Sequence, residues 1–386
     1  MTQPLAGIRV ADFSHVMAGP FASHLLRLMG AEVIKIESHK GDQFRNYGAD
    51  RRFDGMSPAF IAANVGKKSI ALDLKDPAEQ AIARKIVQRS DVLLENFRPG
   101  VIARLGFGYD AVRELKPDIV FCSVSGYGQQ GAQRDWPAID NIVQATSGMM
   151  MLSGAEGDPP VRIGFPVVDT LTGQTAAVAV LGALLQRERT GQGAYIDVSM
   201  LDASLAFMTS ALTPYLVTGQ SLKRLGNTGY SGLPTAALFT TRDDRHISLG
   251  VVQENQFVAL CRHLGCERWL EDPRFAAPDA RRANFDAMFT ELEKVFKTRD
   301  AHEWERELSA ANIPCGMIRH VGEAAQLCGP QALLNMDIAG LPDGEAVAVP
   351  NVGFGMQPGM PGTSDPPPRL DENREEILEW LASGEE

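Results

Sequence analysis

One acid, Asp169, has the type and setting to do covalent chemistry. It stands in the stretch Val161–Arg187, VRIGFPVVDTLTGQTAAVAVLGALLQR, where a short apolar run meets the acid and a long apolar helical segment follows. This arrangement predicts Asp169 at a strand or loop end, just before the first helical turn. Aligned backbone N–H groups there favour a negative charge. Two roles fit: a helix N-cap, or a carboxylate nucleophile exposed where the helix begins. The residue alone does not choose between them. A second candidate is Gly126-Tyr-Gly-Gln-Gln-Gly131, a literal G-x-G-x-x-G. A phosphate-binding fingerprint needs an apolar helix directly after it. Arg134-Asp135-Trp136-Pro137 follows instead, and Pro137 interrupts such a helix. The match therefore reads as a Gly-rich loop bordering a site.

Alternating elements must position these residues. Ile8–Phe13 reads as a buried strand, Phe21–Met29 as an amphipathic helix and Ala31–Glu37 as a second strand. This βαβ unit predicts a parallel sheet. An acid at the end of the second strand also fits a dinucleotide fold, but the first turn, His-Val-Met-Ala-Gly-Pro, lacks the glycine fingerprint. Gly41–Gly55 reads as an exposed loop. Asn64–Lys75 gives a turn and strand, and Asp76-Pro77 opens a three-turn helix. Strands follow at Asp91–Glu95 and Asp118–Ser123, with a short helical pair between them. A helix is expected near Asn141–Met151, a strand at Ala194–Val198 and a buried helix at Asp202–Leu212. Pro214–Pro234, with four glycines, reads as a linker. A hairpin at Ala236–Thr240 and His246–Val251, three helices and a strand at Pro314–Ile318 make a smaller α+β domain. The tail reads as irregular through Pro342–Pro368 and closes with a helix over Glu372–Leu381. It is expected to lie back on the first domain. The boundaries are thus 1–213 for a large domain completed by 326–386, 214–235 for a linker and 236–325 for a small domain.

The 386 residues carry a net charge of −11, which argues against a nucleic-acid binder. Five scattered cysteines without a C-x-x-C suggest neither a disulfide framework nor a zinc site, so no metal is expected and a reduced, cytoplasmic setting is. The N-terminus lacks the pattern of a signal peptide, and no uninterrupted apolar run reads as membrane-spanning.

Several motifs, in this order, give the chain its resemblance to a known family. They are Gly7-Ile-Arg-Val-Ala-Asp-Phe, Gly30-Ala-Glu-Val-Ile-Lys-Ile-Glu37, Lys67-Lys68-Ser69 with Leu72-Asp73-Leu74-Lys75, and Glu95-Asn96-Phe97-Arg98-Pro99-Gly100. Ser125-Gly-Tyr-Gly128, Asp169 before its helix, Gly191-Gln-Gly-Ala194 with Asp197-Val-Ser, and Pro368-Arg369-Leu370 complete the set. Together they resemble the class III CoA-transferases of the CaiB/BaiF type, which include formyl-CoA and carnitine-type transferases.

The resemblance implies that Asp169 attacks an acyl-CoA carbonyl, forming a mixed anhydride and then an aspartyl-CoA thioester that an acceptor acid resolves. CoA is then a substrate and carrier, with no tightly bound cofactor. A carboxylate is suited to this because it is ionised at neutral pH and needs no base. Oxyanion donors are expected from the helix start after Asp169 and the Gly126–Gly131 loop. CoA contacts are implied at Val16, Met17, Ala18, Leu72, Asp73, Leu74, Lys75, Asn96, Phe97, Arg98, Arg104 and Asp140. Ordinary alternatives stand beside them. Lys75 and Arg104 could be solvated charges, Phe97 core packing, and Asp140 a cap for the following helix. Ser38 stands where relatives often carry a basic residue, and Pro137-Ala-Ile-Asp140 replaces a basic, aromatic-containing segment. An α-methylacyl-CoA racemase on the same fold is the alternative reading. Its acid–base pair needs a histidine before Asp140, where Ala138 and Ile139 stand. A small dicarboxylate acceptor, with succinyl-CoA as donor, is suggested by Arg45, Arg51, Arg52 and Arg162, which could clamp a remote carboxylate. The family architecture is a Rossmann-like parallel-sheet large domain plus a smaller α+β domain, in an interlocked-ring homodimer.

Overall fold

Six short apolar runs form one parallel sheet, because each is separated from the next by a helical crossover. The computed structural model describes residues 3–48, 51–53, 56–338 and 346–383. In chain order the elements are β1 (Arg9–Asp12), α1 (Ala18–Leu28), β2 (Glu32–Glu37), α2 (Pro58–Asn64), β3 (Lys68–Ala71), α3 (Pro77–Gln88) and β4 (Val92–Glu95). Next come α4 (Val101–Arg104), α5 (Tyr109–Leu115), β5 (Val120–Ser125), α6 (Asp140–Thr146), α7 (Val167–Thr190), β6 (Ala194–Ser199), α8 (Met200–Phe207) and α9 (Thr209–Thr218). The strand order is β3-β2-β1-β4-β5-β6. The direction in which successive strands are added reverses between β1 and β4, and in such sheets the crevice beyond that point is where ligands bind.

Burial follows the strand alternation. Val10, Leu94, Cys122 and Val198 face α1 and α7, whose Ala22, Leu26, Ala176 and Val180 complete that layer. Phe13, Ile34, Leu93 and Phe121 face the opposite layer, where Ile86 and Val87 of α3 pack. Local sequence starts α3 firmly: Asp76 accepts from Ala78 N (2.8 Å) and Glu79 N (3.1 Å), with Pro77 at the first position. No membrane-spanning run is expected from the sequence, yet at 24 residues α7 is long and apolar enough to cross a membrane. Here half of that apolar stretch is buried, and α1, α8 and β5 pack against it as a core helix.

The chain divides into two compact units. One comprises Met1–Met150, Arg162–Gln220 and Cys328–Glu386; the other comprises Met151–Val161 and Ser221–Leu327. In the smaller unit β7 (Leu238–Thr240), β8 (His246–Leu249) and, later, β9 (Cys315–Met317) form an antiparallel sheet. Between them lie α10 (Glu254–His263), α11 (Arg268–Glu271), α12 (Pro278–Ala283), α13 (Phe285–Phe296) and α14 (Ala301–Ala310), and α15 (Val321–Ala325) follows β9. Phe239, Phe257, Trp269, Phe296 and Trp304 fill the core of this unit. The excursion at 151–161 is held there by Arg224, whose guanidinium donates to Ser153 O and Pro159 O. The tail returns to the larger unit through the hairpin β10 (Leu333–Met336) and β11 (Val347–Pro350) and the helix α16 (Arg374–Ser383), which seats Ile377 under the sheet.

Some local expectations change. The helix of Asp169 begins at Val167, and Val161–Pro166 forms no strand. Asp202–Leu212 is two helices, α8 and α9, and α9 runs past Pro214 to Thr218 with none of its residues buried. The tail holds a hairpin where irregular chain was expected; its residues 342–345 lie outside the described ones. The 41–55 loop buries Asp42 and Arg45; residues 49–50 and 54–55 of it are outside the description.

Candidate active site

The loops that leave β1 and β4 meet at the reversal point and wall three adjoining cavities. The first, about 270 Å³, holds Asp169 with Val16, Met17, Ala18, Asn96, Phe97, Arg98 and Asp140. The second, about 350 Å³, is lined by Leu72, Asp73, Leu74, Lys75, Ser38 and Phe97. His15 and Phe97 belong to both, their rings 5.1 Å apart. The third, about 230 Å³, holds Arg104 and shares Arg98, Arg134 and Trp136 with the first. Each of the thirteen expected site residues thus lines one of these cavities.

Asp169 sits inside the first turn of α7, not at its cap. The capping is done from elsewhere: Asp140 Oδ2 accepts from Val168 N (2.7 Å) and Asp169 N (3.1 Å). Asp140 Oδ1 accepts from Gln144 Nε2 (2.6 Å), and Gln144 Oε1 accepts from Ile163 N (2.9 Å). Asp140 therefore opens α6 yet caps α7. The start of α7 is thereby occupied, which removes it as the expected oxyanion donor. In the Gly126–Gly131 loop, Gln129 N is also taken, by Asp197 Oδ2 (2.8 Å). Burial, reinforced by the charge of Asp140, pushes the Asp169 carboxyl up to about 7. Both causes oppose the ionised form that the expected nucleophile uses, so the site holds its carboxylate against its surroundings.

Gly173, one turn beyond Asp169, lets α1 approach α7. A Cβ there would stand 2.7 Å from Ala18 O and 3.0 Å from the Phe21 ring. The start of α1 carries no side-chain cap. Its approach loop is held on both sides. Asn96 Oδ1 accepts from His15 N (2.9 Å) while Asn96 Nδ2 donates to His15 O (2.8 Å). The side chain of Asn96 thus positions backbone. Both oxygens of Asp42 accept from Val16 N at 3.1 Å, fixing Val16 at φ +68, a strained backbone for a β-branched residue. Buried Lys35 pairs with Asp42 (3.0 Å) and donates to Ser14 O (2.8 Å). Beneath it, Lys67 Nζ reaches Asp12 Oδ2 (3.2 Å), Pro20 O (2.9 Å), Ser23 Oγ (2.8 Å) and Asn64 Oδ1 (3.0 Å); burial lowers its pKa to about 8. This buried ionic layer underpins the turn after β1.

Sequence reasoning missed His15, Ser125, Arg134 and Asp42 on the cavity walls. His15 lies in the loop after the first strand, the one signal that could have found it. Burial lowers its pKa, favouring the neutral ring. Ser125 is buried with its hydroxyl unpartnered. Of the arginines expected to clamp an acceptor, those whose side chains are described do not line these cavities. Arg45 is buried, its guanidinium bonded to Glu37 Oε1 (2.6 Å) and Oε2 (2.8 Å) and Pro368 O (2.9 Å). Arg52 and Arg162 line none of the three, and the side chain of Arg51 lies outside the described residues. Among the described residues no group of three or more His, Cys, Asp and Glu side chains could hold a metal ion.

A family model described as CoA-transferase family III matches residues 5–374. The chain is 38% identical to an acetyl-CoA:oxalate CoA-transferase of Acetobacter aceti, over 99% of this chain and 97% of that protein. It is 33% identical to a succinyl-CoA:glutarate CoA-transferase of Mus musculus, over 97% and 86% respectively. The crystal structure of a CAIB/BAIF family protein from Brucella suis superposes with a TM-score of 0.88 at 28% identity, covering 99% of this chain and all of that one. A Rossmann-type sheet whose reversal point gathers an acid, a capped helix and arginine-bearing loops, matched by this family along nearly the whole chain, leads to one conclusion: the chain belongs to the family III CoA-transferases, enzymes that move CoA between an acyl-CoA and a carboxylic acid.

Proposed function

We propose that this enzyme transfers CoA from an acyl-CoA, with succinyl-CoA the first donor to try, to a small dicarboxylic acid by acylating Asp169. The observation that carries the reading is the placement of Asp169: first turn of α7, in a cavity that shares His15 and Phe97 with the one holding Leu72–Lys75. The ionised carboxylate attacks the donor carbonyl carbon, and CoA leaves as thiolate with the electron pair of the C–S bond. The thiolate attacks the Asp169 carbonyl of the resulting anhydride, releasing the donor acid and leaving an aspartyl-CoA thioester. The acceptor carboxylate then repeats the two exchanges in reverse, so no proton is consumed. Oxyanions developing on the way need donors. The uncapped first turn of α1, at Met17 and Ala18, offers open amides beside Asp169. The apolar wall of the second cavity, with Leu72, Leu74 and Phe97, suits the adenine end of CoA.

The dicarboxylate preference rests on relatives named for oxalate, glutarate and D-citramalate. Transfer is favoured over racemisation because Ala138 and Ile139 replace the histidine that proton removal needs, and His15 lies against Phe97 instead. The same reading takes the working unit as an interlocked homodimer. Exposed Tyr215, Leu216 and Val217 on α9 are apolar surface for a second chain to cover. A folded monomer in sedimentation would remove that part. Mass spectrometry after mixing with a panel of acyl-CoAs tests the chemistry: a CoA adduct is expected on the peptide holding Asp169, and an adduct elsewhere, or none with any acyl-CoA, refutes it.

A further inference from the structure

The third cavity is walled by arginine. In a chain with 48 acidic residues against 37 basic ones, most buried or half-buried guanidinium groups have found a carboxylate. Arg9 pairs with Glu32, Arg27 with Asp365, Arg187 with Asp91 and Arg319 with Glu305. Arg134 is half-buried and differs from these, with the exposed Arg98 and Arg104 beside it. All three line this cavity, and among the described residues none of the three forms an ion pair, although Asp135 stands on the same wall. Two of them converge on a single point. Gly100 opens α4 in the left-handed region, and a Cβ added there would lie 3.4 Å from a terminal nitrogen of Arg104 and 3.5 Å from one of Arg134. Arg134 is the most committed of the three, because its Nε is buried and has no hydrogen-bond partner. It also lines the cavity of Asp169, which Arg104 does not. Like charges brought together, with a buried donor unmet, are unfavourable until an anion arrives to accept from them.

We infer that Arg134 is a substrate-binding residue that takes an oxyanion in the cleft beside Asp169, working with Arg98 and Arg104. This rests on the CoA-transfer reading for the identity of the anion, which is a phosphate of CoA or the remote carboxylate of the acceptor acid. The fork of a guanidinium suits either. In sequence Arg134 speaks only against the glycine fingerprint, because the loop that carries it has no pattern of its own.

The test uses the intact protein carrying Arg134→Gln, with Arg134→Lys beside it. Steady-state kinetics are measured by varying succinyl-CoA and glutarate separately. Removing a charge-assisted contact raises the KM of the anion concerned by about 10- to 100-fold with kcat retained within a few fold. Lys, which keeps charge but loses the fork, should restore part of it. A rise for succinyl-CoA alone, mirrored in weaker binding of free CoA by calorimetry, assigns the phosphate. A rise for glutarate alone assigns the acceptor. Unchanged KM for both substrates, together with unchanged CoA binding, overturns the inference. If the unaltered protein binds CoA but transfers nothing, the transfer reading fails while the calorimetric comparison still decides the role of Arg134.

Discussion

Replacing Asp169 with Asn separates chemistry from folding in one variant. The carboxyl titrates near 7 in the folded protein against 3.8 for a free group, because burial and Asp140 both oppose its charge. A folded pKa above the unfolded one means the ionised group destabilises the fold. The penalty is absent below pH 3.8, grows as pH rises towards 7 and is complete above it. At 1.36 kcal/mol per unit the ceiling is about 4 kcal/mol, and because Asp169 keeps some solvent contact about 2 kcal/mol is the working figure. The isosteric amide carries no charge and removes this term. Denaturant unfolding should therefore find D169N more stable than the parent by about 2 kcal/mol at pH 8, by less than half of that at pH 5, and by almost nothing near pH 4. The same variant should lose CoA exchange between acids by roughly a thousandfold or more while still binding CoA. A stability difference of the opposite sign, or one that ignores pH, would refute the account of the buried charge. Exchange at the parental rate would refute the nucleophile.

Asp140→Asn keeps an oxygen for the two amides of α7 but removes the charge beside Asp169. The acid limb of kcat/KM, expected near pH 7 in the parent, should move to lower pH in this variant, whereas Asp140→Ala should also lose about 1–2 kcal/mol of stability with the cap. Gly173→Ala drives a methyl into Ala18 O and Phe21, so it should lower both melting temperature and turnover; a silent G173A would show that the α1–α7 approach is not tight. Lys67→Met leaves Asp12 buried without its cation and should cost about 3–5 kcal/mol in urea unfolding, a loss that a surface ion pair would not produce.

Much of this protein was determined by the sequence alone. Apolar runs alternating with 3.6-residue periodicity dictated a parallel α/β sheet, and Asp76-Pro77 marked where α3 starts. Motif order was enough to name the family and to collect residues from Val16 to Asp169 that prove to line one set of cavities. These are local or sequential signals, carried by neighbours a few residues apart. What depended on tertiary structure was the use made of polar side chains by partners far away in the chain. Asp140 caps a helix that begins 27 residues later, Asn96 holds His15, Asp42 fixes Val16, and Arg45 is spent on Glu37. The ionisation of Asp169 likewise follows from burial and a neighbouring charge that only the packed chain supplies. Charges and hydrogen bonds act over distances in space, so the sequence could say which groups were present and only the fold could say which of them remained free to act.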